Sequence, residues 1–298
     1  MSVVVLAGGT GGAKLARGML DVVGPQDLVV VANTADDVEI HGAHVSPDPD
    51  LVLYWLADRI DARGWGLEGD TFHAMDRLRA QGEEVWFALG DEDLEIGRDR
   101  LRRLRAGERL TDALAALGRT LGVGARVLAM CDEPVRTFLD GTPFQEGMIR
   151  AGGKAGVLDV ERVELRGIEA ATLPPEVAEA IAAAEAVVVG PSNPVVSVGP
   201  ILAVPGVREA LAAVPVVAVS PFVRGAILKG PTVPCLRAAG VAPTLPGALS
   251  LYGDVLDGVV ADERADALPT LETDVLMDGA AGRERLAREA LTFARGLA

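Results

Sequence analysis

The sequence predicts an α/β protein with a Rossmann-like, mostly parallel sheet and helices on both faces. Strand-like and helix-like segments alternate along the whole chain, without a repeat period or a low-complexity linker, and this alternation is typical of βαβ units. The strands are short apolar runs such as Val3–Ala7 and Ala186–Val189, which suit buried positions in a sheet. We therefore expect one domain over residues 1–298, with an added helical region at about 51–120 and a β-hairpin region at about 135–170.

The charge of the chain limits its partners. Its 43 acidic residues exceed its 28 basic residues, which gives a formal net charge of −15. Such a surface repels nucleic acids and acidic membranes, so we expect neither as a partner. A phosphate-bearing ligand would need local attraction from glycine turns, a few basic side chains or a metal ion.

Cysteine usage and hydropathy indicate the compartment. Cys131 and Cys235 are far apart and form no CxxC motif, which fits a reducing environment and argues against a zinc knuckle. No run of 18 or more uncharged apolar residues occurs, and no basic segment precedes Val3. We therefore expect a soluble, cytoplasmic protein.

The first strand leads into a glycine-rich turn that predicts an anion site. A helix pattern follows the turn at about 13–23. The N–H groups at a helix start carry partial positive charge, and glycine lets a phosphate approach the backbone. The residues predicted to bind phosphate are Gly9, Thr10, Gly11, Gly12 and Lys14. The alternative is that the glycines serve only the packing of a tight strand–helix turn.

Two familiar nucleotide motifs do not fit this turn. Lys14 is not placed as in G-x-x-x-x-G-K-[ST], which argues against an NTPase of that kind. The second strand, Leu28–Ala32, runs into Asn33-Thr34 instead of an acidic residue, which weakens a dinucleotide site. A nicotinamide dehydrogenase would therefore rest on the glycine turn alone.

Polar and acidic residues follow the second strand. Asp36, Asp37 and Asp48 are the candidates for catalysis, and Asp36 with Asp37 for a magnesium site. Ligands bind at the carboxyl edge of a parallel sheet, and Mg²⁺ prefers one or two carboxylates plus phosphate oxygens. The alternative is a solvated loop with Asx and proline turns. His44 is expected to be structural.

The remaining segments are predicted from their apolar spacing. They are helices at about 51–60, 71–80 and 94–118, a strand at 127–130, a hairpin at 137–142, a helix at 174–184, a strand at 186–189, a helix at 207–213, a strand at 216–219, a helix at 233–239, a strand at 258–261 and a helix at 282–297. The helical stretch at 94–118 is rich in arginine, and a solvated face balancing the acids is favoured over contacts with an anionic substrate.

Further strand ends carry small polar residues instead of charges. Turns of this kind offer backbone donors and hydroxyls that suit a nucleotide. The residues predicted to bind nucleotide or phosphate in this part of the chain are Ser192, Asn193, Pro194, Ser220 and Lys229.

These motifs together resemble a known family. The segments G-G-T-G-G-A-K-L, N-T-A-D-D with H-G, S-P-D-x-D, L-G-D-x-D, G-P-S-N-P-V-V-S-V-G-P-I-L, V-S-P, K-G-P, L-Y-G-D and T-D-x-L-M occur in this order. They resemble the 2-phospho-L-lactate transferase family of deazaflavin coenzyme (F-420) biosynthesis. The resemblance covers nearly the full chain, and Gly190–Leu202 is its most specific part.

The resemblance implies a fold and a reaction. It implies a Rossmann-like core with an added helical substrate-covering region, a homodimer and assistance by Mg²⁺. The ribityl hydroxyl of the deazaflavin Fo would attack the phosphate of a guanylylated phospho-acid donor, and GMP would leave. Asn33, His41, Asp48 and Asp91 are then expected on the acceptor side, while the glycine turn would hold the diphosphate.

The sequence departs from the family pattern in one region. Ala88 and Glu92 replace expected basic residues, no histidine follows, and Arg224 stands where glycine is common. A divergent acceptor or acid moiety is therefore left open, while the nucleotide side is intact. The rival function is a non-catalytic nucleotide-sugar-binding regulator of the related gluconeogenesis-factor group, which shares the G-G-T-G-G start.

Overall fold

The computed structural model describes residues 2–151 and 159–297, and its core is a parallel sheet of seven strands. The strands, in chain order, are β1 (Ser2–Ala7), β2 (Leu28–Ala32), β3 (Val38–Ile40), β4 (Ala43–Val45), β5 (Arg126–Ala129), β6 (Arg136–Leu139), β7 (Thr142–Pro143), β8 (Val163–Arg166), β9 (Ala184–Val189), β10 (Val216–Val219), β11 (Phe222–Val223), β12 (Ala226–Ile227), β13 (Gly258–Ala261) and β14 (Thr270–Glu272). The predicted hairpin region at about 135–170 includes residues 152–158, which lie outside the described part.

Helices fill most of the connections between strands. In chain order they are α1 (Gly9–Val23), α2 (Pro47–Leu56), α3 (His73–Ala80), α4 (Asp91–Arg105), α5 (Leu110–Thr120), α6 (Phe144–Arg150), α7 (Pro175–Ala182), α8 (Gly199–Ala203), α9 (Val207–Leu211), α10 (Thr232–Ala238), α11 (Leu245–Ser250) and α12 (Gly279–Arg295). A π-helical turn at Pro194–Val198 precedes α8.

The sheet is doubly wound, which confirms the predicted fold class. Its strand order is β14-β13-β10-β9-β1-β2-β5, and every neighbouring pair is parallel. Alternate residues of β1 point to opposite faces, so Val4 and Leu6 join one core while Val3 and Val5 join the other. Helices α1, α2, α5 and α12 cover the second face, and α7, α8, α9 and α11 cover the first.

A smaller core lies in the added helical region. Helices α3 and α4 and the β3–β4 hairpin meet around Met75, Leu89 and Leu94, which are buried. The Cβ of an alanine at Gly97 would lie 2.9 Å from Ala43 Cβ, so a glycine lets α4 pack closely on β4. Helices α3 and α4 fall within the predicted helical region at about 51–120, whereas the β3–β4 hairpin precedes it.

Several predicted boundaries were wrong. Helix α1 begins at Gly9 instead of near Ala13, and α2 begins at Pro47, so Asp48 lies in its first turn. The single helical stretch at 94–118 is two helices, separated between Arg105 and Leu110. No helix among the described residues is long and apolar enough to cross a membrane.

Candidate active site

The candidate site lies where the strand order of the sheet reverses. Strand β1 has β2 on one side and β9 on the other, and the chain reaches the two halves of the sheet in opposite directions. The crevice outside the carboxyl ends of the strands at such a point is the usual ligand site of α/β proteins. The glycine turn follows β1, Asn33 follows β2 and Ser192 follows β9, so the predicted motifs meet there.

Close packing explains three of the four glycines in the turn. A Cβ at Gly11 would lie 2.1 Å from the Pro191 carbonyl oxygen, and one at Gly12 would lie 2.8 Å from Ser192 Oγ. A Cβ at Gly8 would lie 2.6 Å from Ser197 Cβ. The packing alternative therefore accounts for these positions, since α1 begins in direct contact with the loop after β9.

Gly9 differs from the other three. Its φ is +59°, and an added Cβ would meet open space. Its backbone N–H donates to Asp48 Oδ1 at 2.7 Å. A carboxylate is thus held at the amino end of α1, where the helix dipole favours negative charge.

A buried polar group joins this helix start to the loop after β2. The side-chain amide of Asn33 donates to Asp48 Oδ2 at 2.9 Å and to Asp36 Oδ2 at 3.2 Å. Asn33 is 0% exposed and Asp48 is 6% exposed. Asp36 Oδ1 is buried and has no hydrogen-bond partner among the described residues. Two carboxylates therefore share one amide, and Asp36 Oδ1 is a buried acceptor without a hydrogen bond in the described part of the chain, next to the Thr137 hydroxyl.

Burial changes the proton affinity of both carboxylates. It raises the pKa of Asp36 well above its usual range, the Asp48 charge raises it further, and Asn33 and the nearby Thr137 hydroxyl oppose the shift. Burial also raises the pKa of Asp48 to about 6, against the hydrogen bonds from Asn33 and Gly9. Perturbed carboxylates in a crevice are typical of a functional site.

Asp37 belongs to a neighbouring network. Its Oδ1 accepts from Ser46 Oγ at 2.7 Å, and its Oδ2 lies 3.6 Å from His44 Nε2. Burial raises the pKa of Asp37 to about 7, with Arg136 the largest opposing influence. Burial also lowers the pKa of His44 to about 3, so this imidazole is neutral at ordinary pH. The structure thus couples Asp36 most closely to Asp48, and Asp37 to Ser46.

An ion pair between α2 and α4 completes this network. Arg100 is buried, and its guanidinium binds both carboxylate oxygens of Asp50 and donates to the His44 carbonyl oxygen. Other arginines of α4, such as Arg98 and Arg103, form exposed ion pairs with nearby acids. The interpretation as a solvated face fits those residues, whereas Arg100 is structural.

The other wall of the crevice follows β9 and β10 and carries three of the predicted nucleotide residues, Ser192, Asn193 and Ser220, whereas Lys229 lies beside Trp65. Ser192 Oγ donates to the Gly8 carbonyl oxygen, and Asn193 Oδ1 accepts from Val195 N at 2.9 Å. Asn193 thereby caps the π-helical turn at Pro194–Val198, and its Nδ2 is buried without a partner among the described residues. Such turns are frequent at functional sites. Ser220 is also buried, and its Oγ bonds to the backbone of Phe222 at 3.0 and 3.1 Å.

Two predicted acceptor residues have other contacts. Asp91 accepts from Thr71 Oγ1 at 2.5 Å, from His73 N at 2.9 Å and from Ala74 N at 2.8 Å, so it caps α3. His41 Nε2 lies 3.0 Å from the Phe87 carbonyl oxygen, next to Ala88. Their roles in acceptor binding stay predictions.

Two departures from the family pattern have structural counterparts. Glu92 forms a two-fold ion pair with Arg59, with both distances 2.9 Å. Arg224 has φ +51°, a conformation that favours glycine, and its N–H donates to Asp262.

The donor set fits a shared magnesium site. Among the described residues, no group of three or more His, Cys, Asp or Glu could hold a metal ion alone. Asp36, with its free Oδ1, and Asp48 supply two carboxylates, and Mg²⁺ commonly takes its other ligands from substrate phosphates and water. The residues that would hold such an ion are Asp36 and Asp48. The predicted ligand Asp37, whose Oδ2 also lacks a hydrogen-bond partner among the described residues, stays a prediction.

Sequence reasoning missed several side chains around the site. Thr137 lies beside Asp36, and its backbone N–H bonds to the Ala35 carbonyl oxygen at 2.7 Å. The positive charge of Arg136 opposes the rise in the pKa of Asp37 that burial causes. Both lie on β6, far along the chain from the acids, so no local pattern could have placed them there.

Comparison with known proteins identifies relatives over most of the chain. Residues 3–289 match the sequence profile described as 2-phospho-L-lactate transferase CofD. The chain is 40% identical to the 2-phospho-L-lactate transferase of Methanosarcina mazei, over 88% of this chain and 87% of that protein. It is 39% identical to the phosphoenolpyruvate transferase of Streptomyces coelicolor, over 99% and 98%.

A solved structure shares the fold. Protein BH3568 from Bacillus halodurans, a member of the UPF0052 family, matches with a TM-score of 0.64 and 19% identity. The match covers 97% of this chain and 99% of that one. At this identity the likeness concerns the fold alone.

Proposed function

This chain belongs to the 2-phospho-L-lactate transferase family, CofD, and we propose that it transfers a phospho-acid group in coenzyme F-420 biosynthesis. The donor is a guanosine diphosphate ester of a 2-phospholactyl or phosphoenolpyruvyl type, and the acceptor is the ribityl hydroxyl of the deazaflavin Fo. The names of the relatives, 2-phospho-L-lactate transferase and phosphoenolpyruvate transferase, support both donor types.

The observation that carries this proposal is the Asp36–Asn33–Asp48 group at the reversal point of the sheet. Transfer of a phosphoryl group depends on positioning and on neutralising charge more than on covalent catalysis. Asn33 fixes the two carboxylates relative to each other, and Gly9 fixes Asp48 at the start of α1. The free Asp36 Oδ1 is the atom left to meet a ligand.

The reaction forms one phosphorus–oxygen bond and breaks another. The ribityl oxygen forms a bond to the phosphorus that carries the acid, the bond from that phosphorus to the GMP oxygen breaks, and the hydroxyl proton leaves. That proton would pass to water, while Asp36 would hold the magnesium ion through its Oδ1, which has no other hydrogen-bond partner among the described residues. Bound Mg²⁺ would supply charge neutralisation at the diphosphate.

The opposite wall of the crevice is assigned to the nucleotide. Asn193 has a buried Nδ2 beside the Cys235 thiol, and the Ser192 hydroxyl is bonded to the Gly8 backbone just before α1. These groups, with Ser220 and the backbone of the glycine turn, form the proposed guanosine and phosphate contacts. A homodimer is part of the proposal, and sedimentation of the purified protein tests it.

The test is a reaction of the purified protein with Mg²⁺, Fo and three donors that carry lactyl, enolpyruvyl or glyceryl groups. We expect GMP release and an anionic deazaflavin product with at least one donor, and loss of both after removal of the metal by a chelator. Failure with all three donors would overturn the proposal. Thermal stabilisation by UDP-sugars without stabilisation by GDP or GMP would instead favour the nucleotide-sugar-binding regulator.

A further inference from the structure

Two basic side chains, Lys14 of α1 and Arg283 of α12, lie over the Trp55 ring of α2, and Lys229 acts on Lys14 from the loop after β12. Lys14 Nζ is 5.7 Å from the centre of the Trp55 ring, and Arg283 Cζ is 5.0 Å from the centre of the same ring. Lys229 Nζ lies 5.3 Å from the Trp65 ring, beside Gly64. Lys229 and Arg283 both lower the pKa of Lys14, after burial as the largest cause. We call Lys14, Lys229 and Arg283 the cation cluster.

The cation cluster is not neutralised by its surroundings. In the part of the chain that the structure describes, none of its members forms an ion pair with a carboxylate. The charge of Asp278 raises the pKa of Lys14 slightly, but the two side chains form no ion pair. The pKa of Asp58 is lowered by its hydrogen bonds with Arg17 and, to a lesser extent, by the charge of Arg283. Both carboxylate oxygens of Asp58 already accept from Arg17, at 2.8 and 2.9 Å. Three cations without a counter-ion repel each other, and an anion between them would relieve that repulsion.

Two buried donors belong to the same group of side chains. Arg283 Nε is buried and has no hydrogen-bond partner among the described residues, and the same holds for Trp55 Nε1. Trp55 is only 8% exposed. An unmade hydrogen bond of this kind costs free energy, so donors next to unpaired cations indicate a missing acceptor. The sequence predicts Lys14 and Lys229, two of the three lysines in the chain, as phosphate-binding residues, but it gives no signal for Arg283 or Trp55.

We propose that the cation cluster, with Trp55, binds a phosphoryl group. A phosphoryl group carries up to two charges and several acceptor oxygens, which suits a guanidinium, two ammonium groups and an indole N–H better than a carboxylate does. Lys14 is five residues after Gly9, which is about 7.5 Å along α1, so a ligand in the crevice can reach the cluster. The assignment of this phosphoryl group to the donor or to GMP rests on the proposed function. The proposal that the cluster binds a phosphoryl group does not depend on it.

The test compares binding of inorganic phosphate, GMP and uncharged guanosine to the full-length protein by calorimetry, with tryptophan fluorescence as a second readout. We expect phosphate or GMP to bind, and Arg283→Gln and Lys14→Gln each to weaken that binding at least tenfold. Guanosine binding should be unchanged. Arg119→Gln is the matched control, because Arg119 is an exposed arginine of α5. Thermal unfolding of each variant verifies that it is folded.

The comparison of GMP with inorganic phosphate distinguishes the two sources of the phosphoryl group. Tighter binding of GMP than of phosphate, lost in both variants, assigns the cluster to the nucleotide, and equal binding assigns it to free phosphate. The proposal is overturned if neither anion binds, or if both variants bind them as the wild type does. If the anions bind and the cluster variants weaken that binding, but no donor is turned over, the proposed function is wrong and the phosphoryl-binding proposal is supported.

Discussion

Asn33 donates from its side-chain amide to Asp48 Oδ2 at 2.9 Å, and this bond joins the end of β2 to the first turn of α2. Asp48 in turn accepts from the Gly9 N–H at the start of α1. One carboxylate therefore connects three segments that are separate in sequence. The arrangement explains how Asp48 is buried in a protein with a net charge of −15, because both of its carboxylate oxygens accept hydrogen bonds in the crevice.

The buried Arg100–Asp50 pair should contribute strongly to stability. Arg100→Gln leaves the Asp50 carboxylate buried without its cation, and breaking a pair in this way costs about 3–5 kcal/mol. Urea unfolding measures the difference. Arg98→Gln is the control: its pair with Glu95 is exposed, so the cost should stay within about 1 kcal/mol. Equal effects of the two variants would contradict the assignment of Arg100 to the core.

Asp93 should make the protein less stable as the pH rises. Burial raises the pKa of Asp93 to about 6, against the hydrogen bond from Tyr54. Because the folded-state pKa lies above the unfolded value, the folded state binds more protons between about pH 4 and pH 6, and stability falls over that interval. Relative to Asp93→Asn, the wild type should lose at most about 3 kcal/mol there, at about 1.4 kcal/mol per pKa unit.

The check on Asp93 is urea unfolding from pH 4 to pH 8. The difference between wild type and Asp93→Asn should become constant above pH 6. Asp266→Asn, at an exposed position, should show little dependence on pH. A flat difference for Asp93→Asn would contradict the burial of this charge.

Asp91 should have the opposite pH dependence. Its hydrogen bonds to Thr71 and to the backbone of α3 lower its pKa to about 2. A lowered folded-state pKa gives stability that is present above the unfolded pKa and is lost as the pH falls from about 4 to about 2. Asp91→Asn should therefore unfold at a lower temperature than the wild type at pH 7, with the gap closing in acid. A constant gap would show that the cap does not depend on the charge.

Gly11 should tolerate no side chain. In Gly11→Ala the new Cβ would lie 2.1 Å from the Pro191 carbonyl oxygen, so the loop after β9 must move, at a cost of about 1–3 kcal/mol. The matched control is Gly147→Ala in α6, where the nearest atom is 3.9 Å away and alanine favours a helix. Unfolding in urea separates the two; equal stability would contradict the close contact between α1 and this loop.

The sequence allowed the sheet to be predicted because its strands are uniformly apolar. Val3–Ala7, Leu28–Ala32 and Val216–Val219 were expected as strands from their composition, and the structure has strands there. The start of α1 was misplaced because glycine is a poor helix former. Only the contacts of Gly11 and Gly12 with the loop after β9 show why glycine begins this helix.

Several residues of the candidate site could be predicted from the sequence, but the contacts between them could not. The acids after β2 were recognised by residue type, yet the coupling of Asp36 to Asp48 depends on Asn33 and on the direction of α2. Thr137 and Arg283 reach their positions through tertiary packing of β6 and α12. Such long-range neighbours leave no periodic pattern in a single sequence.

The most direct measurement is the rate of GMP release with Mg²⁺, Fo and a guanylylated donor, for the wild type, Asp36→Asn and the control Asp266→Asn. Asparagine at position 36 can still accept from Asn33, so the variant should fold, and thermal unfolding verifies this. We expect Asp36→Asn to lose about 100-fold or more in rate, because it lacks the free carboxylate oxygen, while Asp266→Asn keeps the wild-type rate. A folded Asp36→Asn variant with the wild-type rate would contradict the assignment of the reaction to this carboxylate.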